Sequence, residues 1–287
     1  MTDRTNSTSN IRIQPTGETI GADVIGLDMA APLDEAARQL LRQAWMQHLV
    51  LRFRGQSATD EQLMAFSRTF GPLDRVPVGT SNDRDGIGDY VTVISNVVEN
   101  GKPIGGLGNL ESKWHTDMSY NELPPTGSLL YALEVPPIGG DTGFCNMYLA
   151  FETLPANLKR RVEGLTCKHD AAHTSVGGLR RGFEDVTDPR KTPGAVHPLV
   201  RTHPVTGRQA LFLGRRLFAY IPGLSLEDSD ALLDELFDHA TQDQFCWYQQ
   251  WQAGDAVLWD NRCVMHRRDG FDNAARRVMH RTQFAGA

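Results

Sequence analysis

Trp114-His115-Thr116-Asp117 is the stretch on which the reading of this chain turns. In an extended segment, residues i and i+2 point to one face, so His115 and Asp117 can reach a single metal ion. A third donor must come from elsewhere. Trp259-Asp260-Asn261-Arg262-Cys263-Val264-Met265-His266 offers His266, which follows an apolar strand and a polar corner. Two imidazoles and one carboxylate suit Fe(II) and leave open positions around it. A lone His-x-Asp also occurs in proteins that bind no metal, and several of the nine histidines must be ordinary. His48 falls on the apolar face of a helix and His239 near a helix C-terminus, where it suits the dipole. His197, His203 and His280 read as satisfied strand or turn histidines.

Downstream lies Arg276-Arg277-Val278-Met279-His280-Arg281. Read as a strand, it puts Arg277 and Arg281 on one face, roughly 13 Å apart at about 3.3 Å per residue. Two guanidiniums in one interior are costly unless each meets an anion, and arginine grips carboxylates bidentately. The alternative is that both face solvent and pair with surface acids.

With 287 residues, 40% hydrophobic and 22% charged, the chain suits one globular domain. The net charge of −6 argues against nucleic acid as a partner. The arginines cluster locally, at Arg180/Arg181, Arg215/Arg216, Arg267/Arg268 and Arg276/Arg277, which is compatible with a pocket for a small anion. Four dispersed cysteines without a CxxC pair suggest neither a zinc site nor a disulfide framework. Residues 1–10 are polar and read as a disordered leader, not a secretory signal. No apolar run approaches the roughly 20 residues of a membrane span. A cytoplasmic, reduced protein is expected.

The order of elements is mainly β with flanking helices. Residues 11–24 read as a hairpin or two short strands, and 34–49 as an amphipathic helix capped by Asp34. Residues 49–53 read as a strand and 59–70 as a helix closed by Gly71. Strand texture follows at 91–97, 129–135, 196–202, 209–213, 245–251, 255–259 and 276–284. Helices interrupt at 147–162, broken near Pro155, and at 226–241, where Ser225 and Asp228 stand at capping-box spacing. Residues 82–90 and 100–112 read as loops. Residues 173–196 form a long irregular stretch of the kind that makes lids or inserts. There is no GxSxG and no P-loop.

From residue 11 to 284 the chain resembles the TauD/TfdA family of Fe(II)/2-oxoglutarate-dependent dioxygenases. The matching motifs fall in order. They begin with Ile20-Gly21-Ala22-Asp23-Val24, Gly26-Leu27-Asp28, Phe53-Arg54-Gly55-Gln56 and Phe70-Gly71-Pro72-Leu73. Trp114-His115-Thr116-Asp117, Gly139-Gly140-Asp141-Thr142, the run from His197 to Pro204, Trp259-Asp260-Asn261-Arg262 and the run from Arg276 to Arg281 complete them. The resemblance implies a double-stranded β-helix (jelly-roll) core within one domain spanning 11–287. It implies His115, Asp117 and His266 as iron ligands, and Thr142 and Arg277 on the carboxylates of 2-oxoglutarate. It places Arg281 on an acidic group of the substrate and Met118 along the substrate pocket. Fe(II), 2-oxoglutarate and O2 are then required, and a homodimer or homotetramer is expected.

The taurine-specific branch has a histidine where this chain has Val76, which puts taurine in doubt. Cys263-Val264-Met265-His266 is similar to the phenoxyalkanoate branch. The leading expectation is hydroxylation of a small or medium organic anion, a carboxylate first, with ether or sulfonate/sulfate cleavage following from it. A tailoring hydroxylase or desaturase of an amino-acid-derived metabolite is one alternative. A non-catalytic jelly-roll binding protein is the alternative from another class. Asp117 disfavours halogenation, because halogenases of this type lose the metal carboxylate. Arg180 and Arg181 read as anion contacts or as solvated, and Arg215 and Arg216 as near the pocket mouth, at a subunit contact or solvated; the solvated reading is preferred for all four.

Overall fold

Hydrophobic runs that are buried on both faces organise this molecule. A computed structural model describes residues 6–75, 89–110, 112–180 and 182–285. The expectations for residues 1–5, Val76, residues 82–88 and Arg181 fall outside the described residues.

Two β-sheets pack face to face. The larger has eight strands, with Val50–Phe53, Ala256–Asp260, Gly127–Glu134, Val278–Phe284 and Thr92–Ser95 side by side at its centre. The smaller has four, in the order Cys246–Gln249, Thr142–Asn146, Val264–Arg268 and Ser112–His115. Alternation along each strand explains the layering. Leu130, Val257, Trp259 and Met279 face the small sheet, where Phe144 and Met265 meet them. Leu129, Tyr131, Leu258 and Phe284 face the other way, against Leu41, Trp45 and Phe66 of the helices Glu35–His48 and Asp60–Ser67. This is the double-stranded β-helix, or jelly-roll, core with flanking helices.

Local signals set the helix boundaries. Asp34 caps Glu35–His48 by accepting from the Ala37 N–H at 2.6 Å. Thr59 and Gln62 close a capping box on Asp60–Ser67, which ends short of the expected Phe70. The expected break near Pro155 separates Met147–Glu152 from Ala156–Val162. Ser225 caps Leu226–Ala240.

Some expectations need correction. Residues 6–10 are not a disordered leader. Asn6 is buried, and its amide donates to Asp28 O and Ala31 O while its oxygen accepts from the Asp28 N–H. One expected strand at 196–202 is two, split before Leu199, because Val196–Pro198 pairs with Thr166–Lys168 and Val200–Thr202 with Gln209–Leu211. Strands Thr142–Asn146 and Val264–Arg268 were not expected. One carries Gly143 and Asn146, the other two arginines, and both are central strands of the small sheet.

The corner Trp259-Asp260-Asn261-Arg262 carries the chain from the large sheet to the small one. Asp260 is buried, accepts from Arg262 Nε at 2.8 Å and Nη2 at 2.6 Å, and lies 3.1 Å from His203 Nε2. Burial alone would raise its pKa, but Arg262 and His203 outweigh it, and the pKa sits below the ordinary aspartate value. Asp260→Ala leaves the Arg262 charge buried and unmatched, and we expect a loss of about 3–5 kcal/mol in urea unfolding. Because the folded pKa is depressed, the corner's contribution is complete above the ordinary aspartate range. It is lost as pH falls through the depressed value. The variant's stability should therefore fall less steeply with acid than the wild type's.

Candidate active site

Strand pairing assembles the site. His115 ends the Ser112–His115 strand, and its direct partner across the ladder is His266. Phe144 pairs with His266 from the other side. The two imidazole centroids lie 4.2 Å apart. His115 Nε2 and His266 Nε2 lie 3.7 Å and 3.8 Å from Asp117 Oδ1. One ligand atom from each of these three buried residues falls within 4.8 Å of the other two.

Protonation suits a cation at this point. His115 Nδ1 lies 2.7 Å from Lys113 O, so that nitrogen carries the proton and Nε2 presents its lone pair to the cluster. Burial, with His115 beside it, holds the His266 pKa well below the ordinary histidine value, so His266 is neutral. Burial opposes ionisation of Asp117, but Arg281, His266 and His115 outweigh it and hold its pKa well below the ordinary range. The donor set is a neutral His266, the inward-facing Nε2 of His115 and one carboxylate, which fits Fe(II).

Asp117 is held from several directions. Arg281 Nη1 donates to Oδ1 at 3.0 Å and Oδ2 at 2.9 Å. Ser128 Oγ and Gln283 Nε2 donate to Oδ2 at 3.0 Å and 3.2 Å, and Asn261 Nδ2 donates to Ser128 Oγ. Sequence reasoning missed Ser128 and Gln283. Gln283 was within reach of it, since position 283 shares the inward face of 277, 279 and 281. Arg281, which the resemblance places on the substrate, is found on Asp117. Its Nε is buried and has no partner.

A cavity of about 430 Å³ opens beside the triad, with His115, His266, Thr142, Arg268, Arg277 and Arg281 in its wall. Arg277 and Arg281 share it, as a common strand face requires. Arg277 is 2% exposed, and its Nε and Nη2 have no hydrogen-bond partner. Burial and the nearby Arg268 bring its pKa down to about 9, with Asp141 opposing. Thr142 Oγ1 accepts from Trp251 Nε1 at 2.9 Å, which leaves the hydroxyl proton to donate. Gly140 has φ +72°, a backbone conformation that favours glycine, and it packs directly beside Arg277. Arg268, noted in the sequence only as one of an arginine pair, donates from Nη2 to Leu107 O at 3.1 Å and to Leu110 O, and ties the 107–110 segment beside the cavity. A buried arginine with free nitrogens beside a threonine donor fits a dicarboxylate such as 2-oxoglutarate. Met118 is buried directly after Asp117 with φ 48°, and does not line this cavity.

Comparison with known proteins agrees with this geometry. Residues 12–283 match the family model described as taurine catabolism dioxygenase TauD, TfdA family. The chain is 36% identical to an (S)-phenoxypropionate/alpha-ketoglutarate-dioxygenase of Sphingobium herbicidovorans, over 96% of this chain and 94% of that one. It is 35% identical to the alpha-ketoglutarate-dependent 2,4-dichlorophenoxyacetate dioxygenase of Cupriavidus pinatubonensis, over 93% and 95%. The crystal structure of AAD-2 in complex with Mn(II) and N-oxalylglycine superposes with a TM-score of 0.79 at 34% identity, covering 96% of this chain and 98% of the other. A triad of this geometry, an unpaired buried arginine beside it and a match running through nearly every strand lead to one conclusion: the chain belongs to the TauD/TfdA family of Fe(II)/2-oxoglutarate-dependent dioxygenases.

Proposed function

We propose that this enzyme hydroxylates a small or medium organic anion, a carboxylate first, and that His115, Asp117 and His266 hold Fe(II) while Thr142 and Arg277 hold 2-oxoglutarate. The observation that carries the reading is Arg277. A guanidinium 2% exposed with two unpartnered nitrogens is costly to the apoprotein. An anionic co-substrate repays that cost. When bound, Fe(II) and 2-oxoglutarate supply the oxidising power, consuming O2 and releasing succinate and CO2 as a substrate C–H becomes C–OH.

The chain's own residues bind and orient. Arg281, Ser128 and Gln283 fix Asp117 so that one carboxylate oxygen faces both imidazoles. Lys113 O fixes the His115 tautomer. Arg281 spends Nη1 on Asp117 and keeps Nε for an acidic group on the substrate. Met118, next to Asp117, lines the substrate side.

Phenoxyalkanoates are the substrate class we put first, from the named activities of the two relatives. Hydroxylation of a carbon that bears an ether oxygen gives a hemiacetal or hemiketal. That product collapses to a phenol and a carbonyl compound, so the ether is cleaved with no protein nucleophile. A sulfate ester would part in the same way. A non-catalytic jelly roll is set aside, because the family and the intact donor set both point to turnover.

Among the described residues no helix is long and apolar enough to cross a membrane. A homodimer or homotetramer in the cytoplasm is proposed from the resemblance alone. A single domain with residues 173–196 as its lid or insert is proposed because the described residues of that segment form neither helix nor strand before Val196–Pro198.

Two measurements test the reading. Anaerobic addition of Fe(II) and 2-oxoglutarate should give the purified protein a weak visible charge-transfer band, absent in His266→Ala. A folded, iron-loaded wild type without the band refutes it. Arg277→Met should raise the KM for 2-oxoglutarate on the order of 100-fold. The same change should leave the ligand-free melting temperature equal or higher, because it removes an unpaired buried charge. An unchanged KM would remove Arg277 from the co-substrate site.

A further inference from the structure

Arg215 does not behave as the surface arginine the sequence suggested. It is 5% exposed, whereas its neighbour Arg216 reaches out to Asp230 and Asp234. Its backbone is pressed against the metal-ligating segment. Gly214 O accepts from the N–H of Thr116, the residue between His115 and Asp117, at 3.0 Å. Gly214 has φ +64°, and a Cβ there would fall 1.8 Å from His169 Nδ1, so only glycine fits.

Arg215 Nη1 donates to His173 O, and Nε is buried without a partner. Its guanidinium lies 5.4 Å from the centroid of the Tyr120 ring. Arg180, from the irregular segment after His173, sits over the same ring at 4.1 Å. Among the described residues no carboxylate lies within 4.0 Å of either guanidinium. Asp170, which acts on Arg215 at longer range, is already engaged by His173 and by the Ala172 N–H. Burial and the charge of Arg180 bring the Arg215 pKa down to about 10. The Tyr120 hydroxyl and Ser119 Oγ nearby are also buried and unpartnered.

Two cations on one phenol ring repel each other, and Arg215 has been desolvated with no carboxylate within reach among the described residues. Such an arrangement calls for an anion. It is not the one that Arg277 awaits, because Arg215 does not line the Arg277 cavity. It still acts through space on Asp117 and on His266. Arg281 is a weaker partner for that anion, because Asp117 already meets its charge and only Nε is left free.

We propose that Arg215, with Arg180 across the Tyr120 ring, binds the anionic headgroup of the organic substrate, a carboxylate or a sulfate, and so determines which acids are oxidised. The proposal rests on the dioxygenase reading above. Guanidinium groups match the paired oxygens of either headgroup. The headgroup is held between the 173–180 segment and Arg215, beside the residues that follow Asp117.

The test uses the Fe(II)- and 2-oxoglutarate-loaded enzyme with phenoxyacetate, 2-phenoxypropionate, hexyl sulfate and the neutral 2-phenoxyacetamide. Succinate release gives KM and kcat for each compound, and the compound-induced shift of the anaerobic visible band gives affinity without turnover. Arg215→Gln should raise the KM and weaken the affinity for the preferred anion on the order of 100-fold. The KM for 2-oxoglutarate and the weak binding of the amide should stay as they are. Arg215→Lys should restore part of the loss, and the phenoxy acids set against hexyl sulfate show which headgroup the site prefers. If Arg215→Gln does not fold, Arg180→Gln, at a half-buried side chain, carries the same comparison with a smaller loss. Equal losses for anions and amide, or no loss for the anion, overturn this proposal alone. A wild type that neither binds nor oxidises any of the anions overturns it together with the substrate class above.

Discussion

The ion pair between Asp117 and Arg281 joins the two sheets at the point where the chemistry is held. Asp117 lies two residues past the end of Ser112–His115 in the small sheet, and Arg281 stands in the middle of Val278–Phe284 in the large one. In so buried a place a lone carboxylate would take up a proton, and a protonated acid is a poor metal ligand. Arg281 keeps it ionised, and Ser128 and Gln283 fix its direction. The two imidazoles need the opposite treatment. Burial keeps His266 neutral, and the Lys113 carbonyl turns the His115 lone pair inward. The sandwich is thus arranged so that one buried acid keeps its charge, one buried imidazole stays neutral and the other turns Nε2 inward.

The remaining buried charge is less well balanced, and the proposed anion sites fall where the imbalance is. Arg277 and Arg215 are each at least nineteen-twentieths buried, and each has unpartnered nitrogens. Hydrophobic replacements at such positions commonly stabilise a protein, so burying them unmatched is a cost the apoprotein carries for binding. Arg281 differs in that Asp117 meets its charge inside the protein, although its Nε is unpartnered too. A buried arginine with an internal partner builds the site. A buried arginine without one waits for something from solution.

Much of this was legible in the sequence where spacing is rigid. The i, i+2 rule put His115 and Asp117 on one face. The strand reading of 276–284 put Arg277 and Arg281 into one interior, and both line the same cavity. Caps at Asp34, Thr59 and Ser225 marked helix starts. What escaped lay in segments whose composition opposes their structure. Thr142–Asn146 contains glycine and asparagine, and Val264–Arg268 two arginines, so neither has the texture of a central strand. Their burial comes from neighbours on both sides, which only the assembled sheet supplies. Arg215 and Arg216 show the same limit. Adjacent residues of one type point to a tyrosine ring in the interior and to acids on a helix surface, and nothing local separates them.

A second group of donors shows why residue types alone do not make a metal site. His203, Asp260 and Cys263 are buried, and their ligand atoms also lie within 4.8 Å of one another. In that group His203 Nδ1 accepts from the N–H groups of Val205 and Thr206, at 3.2 Å and 3.1 Å. Nε2 must then carry the proton, and it points at Asp260. Arg262 neutralises the same carboxylate, and burial pushes the Cys263 thiol well above its ordinary pKa, so it stays protonated. No lone pair is left for a cation, and the group serves as the corner that delivers Val264–Arg268, and His266 with it, to the small sheet. In His115 the backbone contact is reversed: a carbonyl takes the Nδ1 proton, and the freed Nε2 faces Asp117. One carbonyl in place of two amides divides a ligand from a strut.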